Sequence, residues 1–171
     1  IGDWSSDVCS SDLALVSVMA QSNVLGVVQP IKEIIAKAKT YKALTCIDGA
    51  QYTAHFPVNV QELDCDFYCF SSHKLYGPTG IGLMYAKETV LERMDVYQVG
   101  GDMIDEVFLD KITYAPLPNR FEAGTPPIAE AIALKEAIHF IKDIGLERLQ
   151  SYELELTKEA LEMFSKRKGY E

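Results

Sequence analysis

What most limits the folds open to this chain is a repeated alternation. Short apolar runs of four to seven residues are each followed by a polar turn or an amphipathic stretch. Leu13–Met19, Ala43–Ile47, Phe67–Phe70 and Gly80–Tyr85 read as strands, and the first of them reads as buried. Between the first two, Pro30 opens a helix. Its apolar face is Ile31, Ile34, Ile35 and Ala38, with Lys32, Lys37 and Lys39 outward. Glu88–Met94 reads as a short helix, Gly100–Pro118 as an irregular segment or hairpin, and Ile128–Ile144 as an amphipathic helix ended by Gly145. Residues 146–171 are charged and helical. Strand–helix–strand order with runs this apolar implies an α/β fold with a mainly parallel sheet covered on both faces.

Composition narrows the function. Sixteen Lys+Arg against 25 Asp+Glu give a net charge of −9, which argues against nucleic acid or anionic lipid as a partner. No apolar stretch approaches the ~18 residues of a membrane span, and no secretory signal opens the chain. The four cysteines at 9, 46, 65 and 69 make no CxxC pair. Cys65 and Cys69 lie in an apolar run, which implies buried thiols in a reducing, cytoplasmic setting. No metal-ligand cluster is expected.

Residues 1–13 stand apart. They are rich in Ser and Asp, lack helical or strand periodicity, and hold the chain's one tryptophan, Trp4. Asp3–Leu13 resembles the translation of a sequencing-library adapter. The expected organisation is therefore a non-native 1–13 followed by a natural 14–171.

Polar groups follow three of the strands, where open α/β sheets place ligands. Ser22-Asn23 follows the first, Asp48-Gly49-Ala50-Gln51 the second, and Ser71-Ser72-His73-Lys74 the third. Taken singly, Asp48 before glycine is a turn former, Lys74 a loop lysine and His73 a solvated histidine. Together, an acid, an amide and an amine at successive strand ends suit a cofactor with a ring nitrogen, a phenolic oxygen and an aldehyde. Pyridoxal phosphate has all three.

The segment Ser71–Gly82, SSHKLYGPTGIG, resembles the lysine signature of the class V aminotransferases, a family of fold-type I pyridoxal-phosphate enzymes. Ser22–Gly26, Asp48–Gln51, Gly100–Ile104 and Arg120–Pro126 resemble the cysteine desulfurase and selenocysteine lyase group of that family. The resemblance implies a three-layer α/β/α large domain, present here as its C-terminal half with the start and the small C-terminal domain missing. It implies Lys74 as the Schiff-base lysine and catalytic base, and Asp48 on the pyridine nitrogen. Gln51 would hold the phenolic oxygen, with Asn23 near that side, and Ser71 and His73 the phosphate. Thr125 would reach the phosphate of a neighbouring subunit, hence a homodimer. Arg120 is expected to be structural or interface-forming rather than a clamp for the substrate carboxylate, and His55 and His139 ordinary.

The implied reaction takes L-cysteine, or L-selenocysteine, to L-alanine. Sulfur passes as a persulfide to an acceptor protein for iron–sulfur cluster assembly. Cys46, Cys65 and Cys69 sit in or beside apolar strands, where desolvation raises a thiol's pKa, so none is assigned the persulfide role. The chain alone is expected to be inactive. Two other readings stay open: another class V enzyme, such as a kynureninase-like lyase or an aminotransferase, and a non-catalytic relative of the fold.

Overall fold

The structure is a computed structural model and describes residues 13–167 and 169. Of the expected non-native segment 1–13, residues 1–12, Cys9 among them, lie outside the described residues. Four strands form one sheet: β1 (Leu15–Met19), β2 (Leu44–Asp48), β3 (Phe67–Ser71) and β4 (Gly82–Ala86), in that spatial order. The first three are parallel, and β4 runs antiparallel to β3. Parallel neighbours need a crossover. Helix α1 (Ile31–Thr40) supplies the first, and a 3-10 turn at Tyr52–Ala54 with helix α2 (Val60–Leu63) supplies the second. The segment between β3 and β4 is too short to cross the sheet, so the chain doubles back.

Side chains alternate along each strand, and the register sorts them into two faces. Val18, Ile47 and Tyr68 share one face, covered by Ile31 and Ile35 of α1 and by Val58, Val60, Leu63 and Cys65. Phe70 joins this cluster to a second one formed by Ala54, Leu75, Leu134 and Ile141. Leu15, Met19 and Met84 on the opposite face are exposed by 46 %, 49 % and 58 %. Phe67, also on that face, is buried. The expectation of a buried first strand is therefore corrected. Alternation hides Val16 and Val18 only in part and leaves their neighbours open, because among the described residues the helices of the first cluster pack on one side.

Helix α3 (Glu88–Leu91) is shorter than the sequence suggests, and turn bonds carry the chain on to Met94. Pro30 lies just outside α1, where its carbonyl accepts from the Ile34 amide at 3.1 Å. The expected hairpin is β5 (Ile104–Val107) against β6 (Ile112–Tyr114). Helix α4 (Ile128–Ile144) buries the single stripe Leu134, Ala137 and Ile141. Gly145, at φ 87°, turns the chain into helix α5 (Leu146–Ser165), a conformation that favours glycine. No helix among the described residues is long and apolar enough to cross a membrane.

The amino ends of β2 and β3 are tied by a buried carboxylate. Asp66 Oδ2 accepts from the Thr45 amide at 2.8 Å and the Thr45 hydroxyl at 3.0 Å, and the Asp66 amide donates back to Thr45 Oγ1 at 3.1 Å. Lys87, just beyond β4, lies 3.3 Å from Asp66 Oδ1 and 2.6 Å from Asp64 Oδ1, and Lys39 of α1 closes on the other Asp64 oxygen. Burial alone would pull the Lys87 ammonium down, but its bonds to Asp64 and Asp66 raise it.

Two outcomes are expected. Asp66→Ala strands the buried Thr45 amide and hydroxyl, at a cost of about 3 kcal/mol. It should lower the urea midpoint far more than Asp66→Asn, which keeps one acceptor. The bond from Lys39, then that from Lys87, brings the exposed Asp64 carboxyl from 3.8 down to about 2. A lowered folded-state value gives stability that is present above about pH 4 and lost as pH falls through about 2. The stability gap between the parent and Asp64→Asn should therefore close on acidification through that window in urea titrations. A gap unchanged from neutral pH to pH 2 would contradict the role given to Asp64.

Candidate active site

The carboxyl ends of β1, β2 and β3 lie side by side, at the end of the sheet away from Asp66. At the first, the Ala20 amide donates to the Asp48 carbonyl at 2.8 Å and carries the ladder one step further. The chain then turns over Ser22, whose Oγ accepts from the Val24 and Leu25 amides, both at 3.2 Å. Asn23 sits on this turn, exposed.

At the second end, Asp48 is exposed and its Oδ1 accepts from the Ala50 amide at 2.9 Å, a turn the Asp side chain itself closes. Gly49 is held on both sides. Its amide donates to the Cys69 carbonyl at 2.8 Å, and its carbonyl accepts from the Thr53 amide at 2.9 Å and the Thr53 hydroxyl at 2.8 Å. Any Cβ at Gly49 would run into the Tyr68 ring. Gln51 is half-buried and leads into the Tyr52–Ala54 turn.

At the third end, Ser71 is half-buried and the chain closes a 3-10 turn over Ser72–Lys74. Ser72 and Leu75 point inward and are buried, and the Leu75 amide donates to the Ser72 carbonyl at 2.8 Å. His73 and Lys74 are left exposed. The Ser72 hydroxyl is buried without a hydrogen-bond partner, and a Cβ at Gly77 would strike it. Tyr76, at φ 57°, rests edge-on against Phe140 with ring centroids 6.4 Å apart.

Register brings two of the nominated side chains together. Asp48 pairs directly with Cys69, so Ser71, two residues on, rises from the same face. Strand spacing and rise set the two Cα atoms roughly 8 Å apart. Asn23, Gln51, His73 and Lys74 follow the same three strand ends. Thr125 follows none of these strands. It comes after Gly124, at φ 80°, whose amide donates to the Gly101 carbonyl at 2.9 Å, so it belongs with the Gly100–Gly101 segment.

Arg120 serves the fold, as expected. Its Nη2 donates to the Leu91 carbonyl and, at 3.5 Å, to that of Met94, while its guanidinium lies 5.0 Å from the Phe121 ring centroid. Burial pushes the Cys65 and Cys69 thiols up, and the Asp48 charge adds to the effect at Cys69, so neither is a ready thiolate. A groove of about 960 Å³ lies elsewhere, between β4 and the start of α4. Leu83, Met84, Leu91, Phe121, Ile128 and Ile132 line it, and it contains none of the nominated residues.

Three contributors escaped the sequence reading. Thr53 fell outside every element read from the sequence and Tyr68 inside the Phe67–Phe70 run, yet their oxygens lie 2.9 Å apart beneath Gly49. His55, read as ordinary, meets Glu153 of α5 at 2.8 Å. The one available signal was Thr53 four residues after Gly49, the spacing at which a hydroxyl returns to a backbone carbonyl.

Both the sequence and the fold have counterparts among known proteins. A probable cysteine desulfurase of Halalkalibacterium halodurans is 47 % identical over 160 residues, 94 % of this chain and 39 % of that protein. A cysteine desulfurase of Enterobacter sp. is 49 % identical over 148 residues, 86 % of this chain and 36 % of that protein. The crystal structure of the cysteine desulfurase CsdA from Escherichia coli superposes with a TM-score of 0.90 at 38 % identity, covering 94 % of this chain and 40 % of that one. The chain thus spans about two-fifths of the length of the relatives it matches. The fold is the mixed α/β fold, with a mainly parallel sheet, of the fold-type I pyridoxal-phosphate domain, of which this chain is a part. The sequence profile of the family "Aminotransferase class-V" matches residues 3–171, and the chain belongs to that family.

Proposed function

We propose that this chain is the lysine-bearing part of a pyridoxal-phosphate-dependent cysteine desulfurase. The observation that carries the reading is the shared face of Asp48 and Ser71 at the ends of adjacent strands, with exposed Lys74 three residues beyond Ser71. That donor set fits the cofactor's chemistry: a carboxylate for a ring nitrogen, a hydroxyl for a phosphate and an amine for an aldehyde. Asp48 would hold the pyridine nitrogen and keep it protonated. Gln51 and Asn23 would lie toward the phenolic oxygen, and Ser71 and His73 would bind the phosphate. Thr125 is proposed to act on the cofactor of a second copy, consistent with its place outside the strand-end cluster.

When bound, the cofactor supplies an electron sink for charge developing on the substrate α-carbon. Lys74 would take the proton from that carbon. Sulfur then leaves L-cysteine as a persulfide on an enzyme thiol, L-alanine is released, and an acceptor protein takes the sulfur for iron–sulfur cluster assembly. The raised Cys65 and Cys69 thiols are not given that role. L-Selenocysteine as a substrate, the homodimer and a cytoplasmic location belong to the same proposal. Among the described residues one sheet face is open and β4 is an edge strand, which supports reading residues 14–171 as part of a larger domain; residues 1–13 are read as adapter-derived from their sequence alone.

The complete protein should be yellow, and Lys74→Ala should abolish that absorbance and reduce sulfide release from L-cysteine under reductant by at least ~10³-fold. A coloured protein inert toward L-cysteine but active on kynurenine or an amino donor would instead make it another class V enzyme. A colourless one would make it a non-catalytic relative.

A further inference from the structure

Two hydrogen bonds, one from each face of the sheet, meet on a single peptide plane beside Asp48. The Gly49 carbonyl and the Ala50 N–H belong to one peptide unit, which is planar and resists twisting. On one side of that unit, the Ala50 N–H donates to Asp48 Oδ1 at 2.9 Å. On the other, the Gly49 carbonyl accepts from the Thr53 hydroxyl at 2.8 Å. A threonine hydroxyl has one proton, and here it is given to Gly49, so at its 2.9 Å contact with Tyr68 the Thr53 oxygen accepts and the phenol donates. The Tyr68 ring lies against Gly49 on the covered face of the sheet, opposite the face from which Asp48 rises. Burial raises the phenol to about 12, so it keeps its proton across the working range of pH.

We propose that Thr53 and Tyr68 are positioning residues that aim the Asp48 carboxylate. A bond made below the sheet fixes the tilt of the Gly49–Ala50 peptide, and that tilt fixes the donor that Asp48 answers to. The consequence for the cofactor rests on the reading of Asp48 given above. The consequence for the peptide does not.

The test uses the complete protein in two arms. In the cofactor-free protein, amide exchange at Ala50 is measured relative to exchange at Thr45, whose amide is held by Asp66 at the far end of the sheet. Taking the ratio cancels general loosening. Thr53→Val and Tyr68→Phe should each raise it roughly tenfold, the value of one hydrogen bond. Thr53→Ser, which keeps the hydroxyl, should leave it unchanged, and the double variant Thr53→Val/Tyr68→Phe should add nothing to the single ones. In the second arm, the Kd for pyridoxal phosphate should rise roughly tenfold in the two hydroxyl-deleting variants and not in Thr53→Ser. An exchange ratio that does not respond, or a serine variant as impaired as the valine one, overturns the proposal. So does an unchanged Kd in a protein that binds the cofactor. A parent protein that binds no cofactor defeats the functional reading of Asp48 and leaves the exchange arm to decide this one.

Discussion

The reciprocal bonds between Thr45 and Asp66 fix β2 against β3, and the candidate site exists because of that register. A slip of one residue would send every side chain of a strand to the other face. Asp48 would then rise among α1 and α2, and Ser71 would no longer share its face. A carboxylate buried beside two donors and an ammonium has few alternative pairings, so the amino ends of the strands define where the carboxyl ends point. The two ends divide the work. One is closed, charged and saturated with hydrogen bonds, while the other carries exposed groups with capacity to spare for a ligand.

The same division explains the positions of the cysteines and tyrosines. On the open face Cys69 stands directly across from Asp48, and its thiol, raised by burial and by that charge, stays protonated and makes a 3.6 Å contact to the Ile47 carbonyl. On the covered face Tyr68 fills the space that a Cβ at Gly49 would need. Glycine at 49 is therefore a matter of contact as well as of turn chemistry, since the aromatic ring and a Cβ cannot both fit. His55 and Glu153 extend the support outward, tying the turn that follows Gln51 to α5.

Much of this was legible in the residues. Runs such as Phe67–Phe70, stopped by polar clusters, gave the strands, and the clusters themselves marked the candidate site because strand ends in α/β sheets are where loops converge. The hairpin after Gly100 and the helix ending at Gly145 were marked by ordinary turn chemistry. Which sheet face would be covered was not legible. Leu15 and Met19 are as apolar as Val16 and Val18, and only the placement of α1 and α2 separates them. Thr53 and Tyr68 were harder to read for another reason: their contacts meet at the Gly49 backbone, and beyond the Gly49–Thr53 spacing a backbone contact leaves no pattern of side-chain types.

The exposure of Lys74 shows how local structure can present one side chain at a strand end. A 3-10 turn repeats every three residues, so Ser72 and Leu75 lie on one side of it. Both are buried, Leu75 against the stripe of α4 that contains Leu134 and Ile141. With that side committed to the core, His73 and Lys74 have nowhere to go but outward. Gly77 allows the chain to return past the Ser72 hydroxyl, where a Cβ would strike it, and the Ser72 amide donates to the Ile81 carbonyl at 3.1 Å, where the return strand begins. The lysine needs no partner of its own to be held at the strand end. Its neighbours are anchored on both sides, and among the described residues its side chain stays exposed because the packing has been assigned to residues 72 and 75.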